Sequence, residues 1–149
     1  MDENKIPSIS DLEQFLQEYG WTFKKLNPNG DKEVLVAPFN FDDQKGIYIS
    51  FRIEGEFVMV STVDFMMNVP ETDISKLFAL NDRLKLVKLY PVTENPLAVE
   101  LGFELWADAI NKDTFFAFMD MLCLSIEAIM EKLEKNELTF DTKWVTLVK

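Results

Sequence analysis

The chain has 149 residues, 48% hydrophobic and 28% charged, which is enough for one domain with its own core and too apolar for wholesale disorder. A net charge of −11 argues against binding to nucleic acid or to an anionic membrane, both of which call for a basic surface. Histidine is absent and cysteine occurs once, at Cys123, which removes histidine general bases, Ser–His and Cys–His nucleophile pairs, histidine-bound metals and internal disulfides.

The first residues, Met1-Asp2-Glu3-Asn4-Lys5, are acidic with no apolar stretch behind them, so no signal peptide is expected. No run approaches the roughly 20 apolar residues of a membrane span. One unpaired cysteine suits a reducing compartment, and a cytoplasmic location is expected.

Ser10 is placed to cap a first helix, with Glu13 closing a capping box, Leu12, Phe15, Leu16 and Tyr19 as the apolar stripe, and Gly20 as the stop. Residues 21–26 read as a short strand and Asn27-Pro28-Asn29-Gly30-Asp31 as a turn. Residues 34–41 form the next strand, in which Pro38 marks an edge or a bulge. Lys45–Glu54 alternates, with Ile47, Ile49, Phe51 and Ile53 on one side and Tyr48, Ser50, Arg52 and Glu54 on the other, the pattern of a sheet buried on one face and wet on the other. Glu54-Gly55-Glu56 turns it into a hairpin with Phe57–Val63.

Beyond Pro70, Thr72 or Asp73 caps a second helix carrying Ile74, Leu77, Phe78 and Leu84. Residues 86–90 read as a short strand ended by Pro91. Leu97–Trp106 alternates again, with Leu97, Val99, Leu101, Phe103 and Leu105 inward and Ala98, Glu100, Gly102, Glu104 and Trp106 outward. Asn111 caps a long helix reaching about Asn136, about 39 Å at 1.5 Å per residue. A single α+β domain over residues 1–137 is expected, with 138–149 as a C-terminal extension, a strand or a docked tail holding Phe140, Trp144 and Leu147. Short connections favour antiparallel neighbours, so the expected fold is an antiparallel sheet covered on one face by helices, in the order α-β-β-β-α-β-β-α.

Residues 77–133 carry a resemblance. Leu77-Phe78-Ala79-Leu80-Asn81 leads into a short strand, then the alternating strand to Trp106, then Asn111-Lys112-Asp113 and a long apolar helix. This stretch resembles the YbjN-like family of bacterial proteins, whose domain is similar in fold to type III secretion chaperones. The resemblance implies a non-enzymatic chaperone-like fold and no catalytic residue. The chain departs from the pattern at Lys85 and Lys88 and in its C-terminal extension.

Few groups arrange themselves for chemistry. Asn27, Asn29, Asp31 and Glu33 alternate like the start of a calcium loop, but Gly30 precedes the third oxygen ligand and no bidentate glutamate closes a 12-residue loop, so a plain turn and no metal or cofactor is expected. Glu100 and Glu104 lie about 13 Å apart along one strand, too far for a glycosidase pair, and are expected to form cross-strand surface pairs opposite Arg52. Cys123 sits among Leu122, Leu124 and Ile126 with no base near it in sequence, as a packed, inert thiol does.

The long helix is the main functional lead. Phe115, Phe118, Met119, Leu122, Ile126, Ile129, Met130 and Leu133 make its core stripe. Ala117, Met121, Leu124 and Ala128 make a second stripe nearly opposite. Either the tail or the first helix covers that stripe, or it is a surface for a partner or for a second copy in a dimer. Phe65, Met66 and Met67 either fill the core or line an apolar groove. Trp21 is expected in the core, while Trp106 and Trp144 can meet if the tail covers the wet sheet face.

These features point to a module that holds an apolar or basic segment of a partner protein, with no nucleic acid and no membrane involved. An acidic immunity-type inhibitor of a basic toxin shares every charge argument. A small-molecule site or a carboxylate enzyme has no motif behind it.

Overall fold

A computed structural model describes residues 8–26, 33–41 and 45–146. The turn around Asn27–Asp31 with its calcium-like spacing lies outside the described residues.

The first helix, α1, spans Ile9–Tyr19 and starts two residues earlier than the Ser10–Glu13 spacing implied. Ser8 is the cap: its Oγ accepts from the Asp11 N–H at 3.3 Å, and the Asp11 carboxylate accepts from the Ser8 N–H at 2.7 Å. Ser8-x-x-Asp11 and Ser10-x-x-Glu13 are both valid boxes. The earlier one wins because it brings Ile9 into the helix and against the core, and it frees Glu13 to pair with Lys25 at 2.7 Å. Gly20 ends the helix at φ +89°, a conformation glycine adopts without strain.

Four strands follow: β1 (Lys24–Leu26), β2 (Val34–Asn40), β3 (Lys45–Glu54) and β4 (Phe57–Val63). Helix α2 (Glu71–Ala79) runs on into a 3-10 turn (Leu80–Asp82), then come β5 (Lys88–Glu94), β6 (Leu97–Trp106), α3 (Lys112–Glu134) and a short β7 (Val145–Thr146). The sheet order is β1-β2-β3-β4-β6-β5, every pairing is antiparallel, and β7 adds to the start of β3 beyond the end of β4. The chain therefore crosses from β4 through α2 to the far edge and returns to fill the gap with β6.

Two local expectations change. No side chain caps α2: Pro70 is its N-cap, and Asp73 sits buried in the first turn, where its carboxylate accepts from the Thr139 N–H at 2.9 Å. Pro91 does not end β5, which continues to Glu94 past an irregularity between Pro91 and Thr93.

The alternating strands bury the side expected. Ile47, Ile49, Phe51, Val58, Val60, Val99 and Leu101 form a continuous floor under the helices. Helix α1 lies against β2 and β3, α2 against β5, and α3 against β6. Asn111 caps α3 by accepting from the Thr114 N–H at 2.9 Å, and Phe115, Met119, Leu122, Ile126, Ile129 and Met130 face the sheet. Phe15 meets Phe115 at 5.5 Å between ring centres, joining α1 to α3.

The segment after α3 is docked. Leu138 and Phe140 are buried, and Phe140 stands edge-on to Phe65 at 5.6 Å. Asp141 and Met67 exchange backbone bonds of 2.7 and 2.8 Å, the Lys143 N–H donates to the Asp64 carbonyl at 2.9 Å, and the Thr142 hydroxyl donates to the Phe65 carbonyl at 2.6 Å. Trp144 ends against Phe41, with the Lys45 ammonium over its ring at 4.4 Å. Trp106 lies elsewhere, stacked on Phe57 at 4.4 Å, so the two tryptophans do not meet and the described part of the tail does not cover the wet face. Among the described residues no helix is long and apolar enough to cross a membrane.

Candidate functional site

The sheet offers a partner little at its edges. On β5, the outward N–H and C=O of Leu89 are both taken by one side chain: Asn81 Oδ1 accepts from the Leu89 N–H at 2.7 Å and its Nδ2 donates to the Leu89 carbonyl at 3.1 Å. The next outward position is Pro91, which has no N–H to offer. On the opposite edge β1 covers β2 only from Val34 to Val36. Past that point the Phe41 N–H bonds the Lys45 carbonyl, which fixes the pairing phase and turns the proline nitrogen of Pro38 outward. An amide that mimics a peptide group and two prolines thus oppose strand addition along β5 and along β2 past β1.

What remains open is two faces. On the uncovered sheet face a groove of about 340 Å³ runs between Arg52, Met59, Ser61, Tyr90 and Glu104. Gly102 lies in it because a Cβ there would strike the Val60 carbonyl. The Lys88 ammonium donates to the Asn81 and Leu84 carbonyls at 2.8 Å each, tying down the loop that holds Leu86 at φ +70° with half its surface exposed over the groove. Arg52 pairs along its own strand with Glu54 at 3.3 Å, rather than across the sheet with Glu100 or Glu104. Burial holds the Tyr90 phenol above its ordinary range against the opposing pull of the Ser61 hydroxyl.

Glu100 is not a surface residue. It is half-buried and accepts from the Thr62 hydroxyl at 2.8 Å, the Asp64 N–H at 2.8 Å and the Phe65 N–H at 3.4 Å. Burial raises its carboxyl to about 7, although all three donors pull the other way. The Thr62 hydroxyl in turn accepts from the Leu101 N–H at 3.1 Å, so this cluster locks the end of β4 to β6.

The second open face is the outer side of α3. Ala117, Leu124 and Ala128 are exposed, Leu124 by 57%, and Met121 is half-buried. Among the described residues neither α1 nor the tail covers Ala117, Leu124 or Ala128: α1 meets α3 along Phe115, Phe116 and Asp120, and the described tail lies over residues 64–67. Beside the stripe, on the flank toward α1, runs a ridge of exposed carboxylates: Asp113, Asp120, Glu127, Glu131 and Glu134. Asp120 accepts the Tyr19 hydroxyl at 2.5 Å, and Lys135 pairs with Glu131 at 2.6 Å, holding that carboxyl below its ordinary range. Glu127 forms one wall of a pocket of about 320 Å³ whose other walls include Trp21, Thr22 and Asn40.

The predicted positions divide cleanly. The Ala117, Met121, Leu124 and Ala128 stripe is where the helical spacing put it: Ala117, Leu124 and Ala128 are exposed and Met121 is half-buried against the core. Phe65 and Met66 are fully buried and line no groove, since the tail fills that space with Phe140, while Met67 is half-buried and bonded through its backbone to Asp141. Trp21 is half-buried, at the pocket, rather than inside the core. Burial raises the Cys123 thiol to about 11, far from a nucleophile's range. The acidic ridge and the open-face groove were not singled out from the sequence. The seven-residue spacing of Asp113, Asp120, Glu127 and Glu134 was the signal available for the ridge. Neither a scan against protein-family models nor a search of curated proteins finds a match to this chain.

Proposed function

We propose that this chain is a non-enzymatic, chaperone-like or regulatory protein-binding module of the cytoplasm that holds a segment of a partner protein bearing apolar and basic residues. The observation that carries the reading is the outer face of α3, where Ala117, Leu124 and Ala128 stay exposed beside five carboxylates after every described element has found its place. The obstruction of β5 and of β2 past β1 supports it by favouring faces as the docking surface, and the acidity of the whole chain supports it by favouring a basic partner. The resemblance to YbjN-like proteins and secretion chaperones points the same way. An inhibitor of a basic enzyme would use the same surface. The open-face groove favours a second reading, a small-ligand site, because its size falls in the range of such pockets.

Selection of a random 15-residue peptide library against the full chain tests the first reading. Peptides rich in aliphatic residues and Lys or Arg are expected, and Leu124→Glu should abolish their binding. A library yielding no binder, or binders indifferent to Leu124→Glu, overturns it.

A further inference from the structure

We infer that the segment held on α3 is a basic amphipathic helix, packed along the stripe as in a short coiled coil, with one Lys or Arg reaching the pocket between Trp21 and Glu127. The inference rests on the protein-binding reading and names the partner's chemistry.

The spacing of the exposed residues decides the shape of the occupant. Ala117, Met121, Leu124 and Ala128 recur at four, three and four residues, the a/d alternation of a helix–helix seam. With Met121 at an a position, Asp113, Asp120, Glu127 and Glu134 all fall at g, the flanking position that selects partners by charge. Four consecutive g positions are acidic, and all four side chains are exposed. Two alanines in the seam let a second helix approach closely, and Leu124 and Met121 supply the apolar contact.

The same pattern disfavours a second copy of the chain. In an antiparallel pair the g positions face one another, setting four carboxylates against four. In a parallel pair they face e, which here holds Phe118, Ser125 and Lys132, a single cation. A helix carrying Lys or Arg at its flanks satisfies the ridge in either direction. The pocket adds an independent sign of the same chemistry. An indole and a carboxylate lining one pocket suit an alkyl-linked cation, which can meet the ring by cation–π contact and the carboxylate by an ion pair.

The probes are two synthetic 21-residue helical peptides with leucine at every seam position, one with lysine and one with glutamate at the flanking positions. Binding is read by fluorescence anisotropy on the full chain. The lysine peptide is expected to bind at least about tenfold more tightly, since several flank pairs each contribute a few-fold. Its affinity should drop severalfold from 50 to 500 mM salt as the screening length shrinks toward a few Å. Charge reversal at the pair Asp120→Lys and Glu127→Lys should remove the preference, because the two new cations balance the carboxylates left at Asp113 and Glu134. Glu127→Gln should weaken the lysine peptide more than Asp113→Asn does, because only Glu127 lines the pocket. Equal binding of the two peptides, or library-selected peptides that need Leu124 but show no basic bias, overturns the basic-helix inference and leaves the protein-binding reading standing. A native dimer that Leu124→Glu dissociates also overturns it. Failure of both the designed peptides and the library removes both readings.

Discussion

Glu100 should make the stability of this protein fall with rising pH across a window where most carboxylates have already finished titrating. Its carboxyl is raised from 4.5 to about 7 because burial disfavours the charge more than three hydrogen bonds favour it. Between those values the folded chain keeps a proton that the unfolded chain releases. Stability is therefore greatest below about pH 4.5 for this group and is lost as pH rises through 7, by about 3 kcal/mol in all, at about 1.36 kcal/mol for each pH unit crossed between the two values. Glu100→Gln cannot titrate. It turns an amide N–H₂ toward one of the donors now facing a carboxylate oxygen, at a pH-independent cost of about 1–3 kcal/mol. Urea melts of both proteins at pH 5.0, 6.0, 7.0 and 8.0, followed by tryptophan fluorescence, give the difference between them, in which every shared carboxylate cancels. The native chain's advantage over the variant should shrink steadily up to pH 7 and then level off. A difference constant to within about 0.5 kcal/mol, near the error of the extrapolation, would mean that Glu100 titrates like any surface glutamate and that hydrogen bonding outweighs burial at this site.

Two further substitutions check the packing and the edge. Leu122→Ala should cost about 2–5 kcal/mol in urea melts because the side chain is wholly buried against the sheet, whereas Leu124→Ala should change stability by less than about 0.5 kcal/mol. Asn81→Ala strips Leu89 of partners for both its N–H and its C=O. A loss of about 1–3 kcal/mol is expected, together with concentration-dependent light scattering that the native chain lacks.

Sequence pattern revealed most where burial is one-sided. The inward and outward residues of Lys45–Glu54 and Leu97–Trp106 could be read directly because one sheet face packs under helices and the other meets water. Asn111 was legible as a cap because its bond to Thr114 is three residues long, and the α3 stripes followed from helical spacing. Long-range partners were not legible. Asp73 looks like any N-cap until the Thr139 N–H arrives from 66 residues away. Glu100 looks like a surface residue until the turn after β4 folds two backbone amides onto it. Pro91 looked like a terminator because its missing N–H harms a central strand, and it does no harm where that position points away from the sheet. The outer stripe was visible, but its exposure depended on where α1 and the tail came to rest.

Asn81, Pro91 and Pro38 have a consequence for stoichiometry. A molecule that associates by lending an open strand can pass the exchange to the next molecule, and growth has no natural end. With those stretches obstructed, association through the outer side of α3 would have a built-in limit: one helix would fill the seam, and the complex would offer no equivalent seam to a third component. Titrations of the full chain should therefore saturate at an integer ratio instead of drifting into larger assemblies. A partner bound this way would be released by breaking side-chain contacts alone, with the sheet hydrogen bonds left untouched.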